Sequence, residues 1–154
     1  MNAIPTLLPA TEERVPLHTR SAVNDRIQGR TLHDVSRFVG ADPFFIDERI
    51  RELEREWDIE RMLEANAAGI ALVGVVLGFS VDRRFFALPG MVGAFLLQHA
   101  LQGWCPPVPL FRRLGVRTAR EIQDEILALR ILRGDFLERV DTPERALASA
   151  RAWA

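Results

Sequence analysis

The chain has 154 residues, enough for about one domain. Its twenty basic residues are all arginine, and twenty-one acids leave a formal net charge of −1, without the concentrated positive face that a nucleic-acid partner requires. A single cysteine, Cys105, excludes an internal disulfide framework.

Residues 1–41 read as an N-terminal arm. Pro5, Pro9 and Pro16, scattered charge and no hydrophobic period make residues 1–30 a disordered or loosely attached stretch. Leu32, Val35, Phe38 and Val39 stand at helical spacing, so residues 31–40 predict a short helix stopped by Gly40. The start, MNAIPTLLPATEER, has neither a basic n-region nor an apolar core, so no cleaved signal peptide is expected. The first long apolar helix is expected to serve as its own insertion signal.

An amphipathic helix is predicted over residues 42–64. Asp42 is a favoured N-cap, and Pro43 suits the first helical position because its missing N–H would be unpaired there anyway. Ile46, Ile50, Leu53 and Trp57 recur at heptad spacing, with Asp47 and Glu48 placed to pair with Arg51. Nothing before Phe79 breaks a helix outright, so this segment is expected to run directly into the next. Two uses of the seam stay open: packing on the bilayer or on the chain's own C-terminal helix, and a short parallel coiled coil between subunits.

Residues 65–104 carry two long apolar runs, 65–81 and 85–104, separated by Asp82-Arg83-Arg84. At about 1.5 Å per residue they span roughly 25 and 30 Å, against a hydrocarbon core of about 30 Å. Neither keeps the polar stripe of a soluble amphipathic helix. The pair therefore reads as a transmembrane hairpin, the alternative being the apolar centre of a soluble bundle. Gly74 and Gly78 on the first helix, and Gly90 and Gly93 on the second, offer small-residue faces for close approach, within the chain or between two copies. With the turn near Asp82, Asn66 falls level with Gln98 and Gln102, which predicts an interhelical amide cluster with His99 in the same zone.

Residues 105–154 form a C-terminal helical segment. Cys105-Pro106-Pro107-Val108-Pro109 ends the second apolar helix, and 110–116 reads as a linker. Thr118 and Glu121 have capping-box spacing and open a helix reaching Arg133, with Gly134 as its stop. Thr142-Pro143-Glu144 opens a last short helix. The whole is all-α: a membrane protein with a two-helix transmembrane hairpin and amphipathic cytoplasmic flanking helices.

Arginine counts set the expected orientation. Arg49, Arg51, Arg55 and Arg61 precede the hairpin and Arg112, Arg113, Arg117 and Arg120 follow it, whereas the turn has only Arg83 and Arg84. The positive-inside rule therefore puts both ends in the cytoplasm. Arg112, Arg113, Arg117 and Arg120 are candidates for contact with anionic headgroups. Trp104 sets the adjacent Cys105 at headgroup level, where Arg112 and Arg113 could lower the pKa of a reactive thiol. The competing role for Cys105 is a small apolar residue or an acylation site. His99 and Cys105 alone do not make a metal site, and no catalytic constellation or cofactor motif is visible.

Residues 60–116 resemble the transmembrane domain family of YgaP-like inner-membrane proteins. The likeness rests on the Glu60-Arg61 lead-in, the glycine-rich first helix, the spaced small residues of the second, and the exit Gly103-Trp104-Cys105-Pro106 followed by Leu114-Gly115-Val116. It implies a two-helix bacterial inner-membrane domain, able to dimerise, with its soluble parts in the cytoplasm. YgaP itself carries a rhodanese sulfurtransferase domain with a catalytic cysteine loop; this chain has no counterpart, so that activity is not carried over. The expected role is a non-enzymatic inner-membrane module that presents cytoplasmic helices to a partner or to its own copy. The alternative is a membrane-bound thiol or sulfur-handling accessory that uses Cys105.

Overall fold

Two long apolar helices, leaning on each other through glycine, dominate the computed structural model, which describes residues 9–135. In chain order the helices are α1 (Arg14–Leu17), α2 (Ser21–Ser36), α3 (Pro43–Leu53), α4 (Ile59–Ser80), α5 (Ala87–Gln102), α6 (Val108–Arg113) and α7 (Ala119–Arg133). A 3-10 turn, Arg83–Phe86, joins α4 to α5. No strand occurs among the described residues, and the predicted helix after Thr142 lies outside them.

The stretch 1–30 does not behave as a loose arm where it is described. Val15 is buried, and α2 runs through Ser21–Ser36 and buries Ile27. The helix predicted for 31–40 is the end of α2, which stops before Gly40, a glycine with φ of 75°. Prolines concentrated ahead of residue 17 hide a second half that has none.

The helix starting at Pro43 also departs from expectation. Asp42 caps it by accepting a hydrogen bond from the Phe44 N–H at 2.8 Å, but it ends at Leu53 instead of continuing. Asp58 then caps α4, accepting from the Arg61 N–H at 2.8 Å. Between the caps the chain turns, so the seam Ile46, Ile50 and Leu53 packs on Ile122, Ile126 and Leu129 of α7. The partner of the seam is thus the chain's own C-terminal helix. Trp57 leaves the seam and lies exposed, with the Arg61 guanidinium 4.4 Å over its ring. Asp47 pairs with Arg133 in place of Arg51, and Glu48 and Arg51 form no ion pair among the described residues.

α4 and the segment Arg83–Gln102 are each long and apolar enough to cross a membrane. Asp82 shapes the turn by accepting from the Arg84 N–H at 2.7 Å. A side chain at Gly74 would bring its Cβ within 2.7 Å of Pro89 Cδ and 2.8 Å of Leu88 Cβ, and one at Gly78 would meet the Phe86 ring at 2.7 Å. The first small-residue face therefore serves contact inside the hairpin. At Gly90 and Gly93 a Cβ would meet nothing within 4 Å among the described residues, so these two glycines take no part in it.

Replacing Gly74 by leucine is expected to separate the helices and cost about 1–3 kcal/mol, as overpacking does. Gly93→Leu, on the open face, is expected to be neutral or slightly stabilising because glycine is a poor helix former. Thermal unfolding in detergent micelles followed by circular dichroism compares the two. Equal melting temperatures would contradict this account of the contact.

Candidate functional site at the open end of the hairpin

The N-terminus of α4 and the C-terminus of α5 come together at one end of the hairpin, and the remaining helices gather there. Glu60, in the first turn of α4, faces His99 near the end of α5, with Oε2 2.8 Å from Nε2. A carboxylate partner requires that nitrogen to carry the proton. Glu60 also accepts from Arg14 Nη2 at 2.9 Å, and Arg14 Nη1 donates to the Ala100 carbonyl at 3.0 Å. His99 is buried, and its Nδ1 has no partner among the described residues. One carboxylate thereby ties the N-terminal segment to both long helices.

The predicted amide cluster does not form. None of the side chains of Asn66, Gln98 and Gln102 makes a hydrogen bond to a described residue; Gln102 is exposed, and Asn66 borders an apolar cleft with Ala67, Phe95 and Leu96. Depth along the hairpin places these residues at one level, but helix rotation does not turn them towards each other. The nearby group that does engage His99 is Glu60, on the other helix.

Cys105 lies buried among Val15, Ile59, Leu63 and Val108. Gly103 reaches this point with φ of 77°, and a Cβ there would stand 2.5 Å from the Arg14 backbone. Burial pushes the thiol pKa up and the Glu60 charge adds to that, against a smaller lowering by a hydrogen bond from the Val108 backbone. The expected activation by Arg112 and Arg113 fails because Arg112 is engaged elsewhere and the thiol is enclosed in apolar contacts.

Arg112 is the largest fully buried side chain among the described residues. It donates Nη1 to Glu121 Oε2 at 2.6 Å and Nη2 to Glu121 Oε1 at 2.7 Å, a two-pronged pair, and also reaches Asn24 Oδ1 at 2.9 Å and the Val116 carbonyl at 3.0 Å. Glu121 is the capping-box residue of α7, accepting from the Thr118 N–H at 2.8 Å as the sequence predicts. Burial alone would raise its pKa, but the hydrogen bonds from Arg112 and from Thr118, with the Arg112 charge, hold it below the usual glutamate range.

A second network crosses the head. Arg117, nearly buried, joins Glu56 and fully buried Glu125, and Arg49 donates Nη2 to the other oxygen of Glu125 at 2.9 Å. Glu56 and Glu125 raise the Arg117 pKa against the lowering by burial. Arg112 and Arg117 are therefore interior ion-pair residues and not headgroup contacts. Arg120 is exposed and paired with Asp124 and Glu12; Arg113 is exposed and has no ion pair among the described residues. Charge count alone does not distinguish these four, whereas the position of Arg112 on the inner side of a helix with Val108 is a usable signal.

Among the described residues no group of three or more His, Cys, Asp or Glu side chains could hold a metal ion. No family model matches the chain, and neither a search of curated proteins nor one of solved structures finds a match. The hydrogen bonds and ion pairs of the cluster join Arg14 of α1, Asn24 of α2, Arg112 of α6 and Glu121 of α7 around the base of the hairpin.

Two outcomes follow. Glu121→Gln is expected to destabilise the head by about 3–5 kcal/mol, since it leaves the Arg112 charge buried without its counterpart. In the parent protein, the depressed Glu121 pKa means this stabilisation is complete above the ordinary glutamate value and is lost as pH falls through the lower folded value. Melting curves recorded from neutral to acidic pH read both effects, and the variant should show a shallower acid dependence. Separately, Cys105 should resist a maleimide in the folded protein and react once the chain is unfolded in dodecyl sulfate. Fast labelling of the folded form would restore the reactive-thiol reading.

Proposed function

We propose that this chain is a small bacterial inner-membrane protein whose hairpin spans the bilayer and whose charged helical head acts, in the cytoplasm, as a docking module for a protein partner or a second copy. The carrying observation is that the two long apolar helices are barely covered. Only 17% of the apolar window in Ile59–Ser80 and 6% of that in Arg83–Gln102 is buried, with Leu72, Val76, Phe79 and Leu97 on open flanks. Water-exposed monomers rarely tolerate a continuous apolar patch of that kind, and lipid covers it without a protein partner.

Length agrees: twenty-two and twenty residues give about 33 and 30 Å at 1.5 Å each, against roughly 30 Å of hydrocarbon. The ends agree as well. Trp57 and Trp104 flank the open end, where tryptophan suits the membrane–water boundary, and the closed tip carries Asp82, Arg83 and Arg84. The arginines around the open end favour a cytoplasmic head by the positive-inside rule, even though several are internally paired, because that rule acts on the chain during insertion. The YgaP-like resemblance supports the same arrangement: its Gly103-Trp104-Cys105-Pro106 exit coincides with the turn that folds the head back on the hairpin. In this reading the role is structural: Glu60 ties Arg14 and His99 together at the hairpin base, and Cys105 is enclosed.

The protein should sediment with membranes after salt and carbonate washes and enter solution only with detergent. In a Cys105→Ser background, Asp82→Cys should react with an impermeant maleimide on intact spheroplasts, and Gln123→Cys only after permeabilisation. Recovery in the soluble fraction without detergent overturns the membrane reading, and reversed labelling overturns the sidedness.

A further inference from the structure

We infer that α6 is a membrane-interface helix, held in the cytoplasmic leaflet by Leu110 and its C-cap residue Leu114 on the outward side, with Pro106 in the turn before it and Arg113 on the lipid phosphates. The inference rests on the membrane reading and adds a second lipid contact to it, outside the spanning helices.

The inner side of α6 is accounted for: Val108 and Arg112 are buried, and Phe111 packs against the cluster around Cys105. Its outer side has no cover from the described residues. Leu110 and the C-cap residue Leu114 are four apart, the spacing that aligns side chains along one helix face, and Pro106 precedes them in the turn leading into α6. Leu110 is 57% and Leu114 70% exposed. Arg113, beside them, is exposed, and its guanidinium has no ion pair among the described residues, unlike Arg112, Arg117 and Arg120.

The depth of the start of α6 identifies what covers this face. Pro106 and Pro107 border an apolar cleft whose other walls are Ala67 and Ile70 of α4 and Phe95 and Leu96 of α5. The same cleft includes Leu63, four residues beyond the first of α4 or about 6 Å along its axis, and reaches Ile70 farther in. The chain leaving α5 therefore folds back against the hairpin flank instead of running straight into water. The outer face of α6 is continuous, through this cleft, with the uncovered flanks of the hairpin. An apolar strip at that level with the Arg113 charge beside it matches the boundary between acyl chains and anionic headgroups.

Nitroxide labels on single cysteines, placed in a Cys105→Ala background of the full chain reconstituted in phosphatidylcholine–phosphatidylglycerol vesicles, test this. Collision with oxygen, which partitions into lipid, is compared with collision with a water-soluble nickel chelate. Labels at Leu110 and Leu114 should favour oxygen, as a label at Leu97 on the hairpin flank does, whereas a label at exposed Gln123 should favour nickel. Nickel preference at 110 and 114 with oxygen preference at 97 overturns the inference and leaves the membrane reading standing. Nickel preference at 97 overturns both. Shielding of 110 and 114 from both reagents means protein covers the face, a second copy included, and also overturns it. If the Cys105→Ala background loses its helical circular dichroism, Leu110→Trp in the Cys105-containing protein, with Trp57, Trp104 and Trp153 each replaced by Phe, replaces the labels. Its fluorescence should be quenched by phospholipids brominated near the headgroup, and lack of quenching refutes the inference.

Discussion

The fold of the head depends on one interaction, the two-pronged pair between Arg112 and Glu121. Arg112 belongs to α6, Glu121 to α7, and the side chains that complete the guanidinium's coordination, Thr19 and Asn24, come from the segment around α1 and α2. An arginine taken fully out of water is tolerable only when its donors are met and its charge is balanced. Every element that supplies a partner is therefore held in place by the cost of withdrawing it. Apolar packing around Ile46, Leu53 and Leu129 gives the head its core, but only the ion pair connects the N-terminal helices, the exit of the hairpin and α7 at one point.

Arginine suits these interior pairs better than lysine would. Arg112 meets Glu121 with two parallel hydrogen bonds, and Arg49 and Arg117 share Glu125 from its two oxygens. A flat fork with several fixed donors satisfies carboxylates in this way, whereas an ammonium on a flexible stem supplies a point charge that deprotonates more readily when buried. Most of the described arginines still lie on the surface, and the buried ones are Arg112, Arg117 and Arg130.

The same point separates what is legible in the sequence from what is not. The hairpin, the caps at Asp42 and Thr118 and the stop at Gly134 are readable, because each depends on nearest neighbours or a long uninterrupted run. The heptad seam is visible too, though not its partner, since Ile46 and Ile50 look alike whether they face α7 or another subunit. The break before Asp58 is hidden because no glycine or proline marks it; tertiary contacts hold it, through Glu56 on Arg117 and the Ile59 N–H donated to the Arg117 carbonyl at 2.8 Å. The destinations of Arg112 and Arg117 are hidden for a related reason. Long-range pairing decides whether an arginine beside an apolar helix lies on headgroups or inside, and spacing contains no record of it.

Head and hairpin are consequently not a soluble unit tethered to a membrane anchor by a flexible link. Ile59 is at once the first residue of α4 and a buried member of the cluster around Cys105, and its N–H is bonded to the segment leading into α7. Glu60, the next residue, holds His99 of α5 and Arg14 ahead of α2. A tilt of α4 must therefore move the carbonyl of Arg117, and with it a guanidinium shared by Glu56 and Glu125. Where two neighbouring residues bind both parts this tightly, the orientation of the head relative to the long helices is set by backbone geometry instead of by a hinge. Any partner that recognises the head also meets a surface with a fixed relation to the hairpin axis.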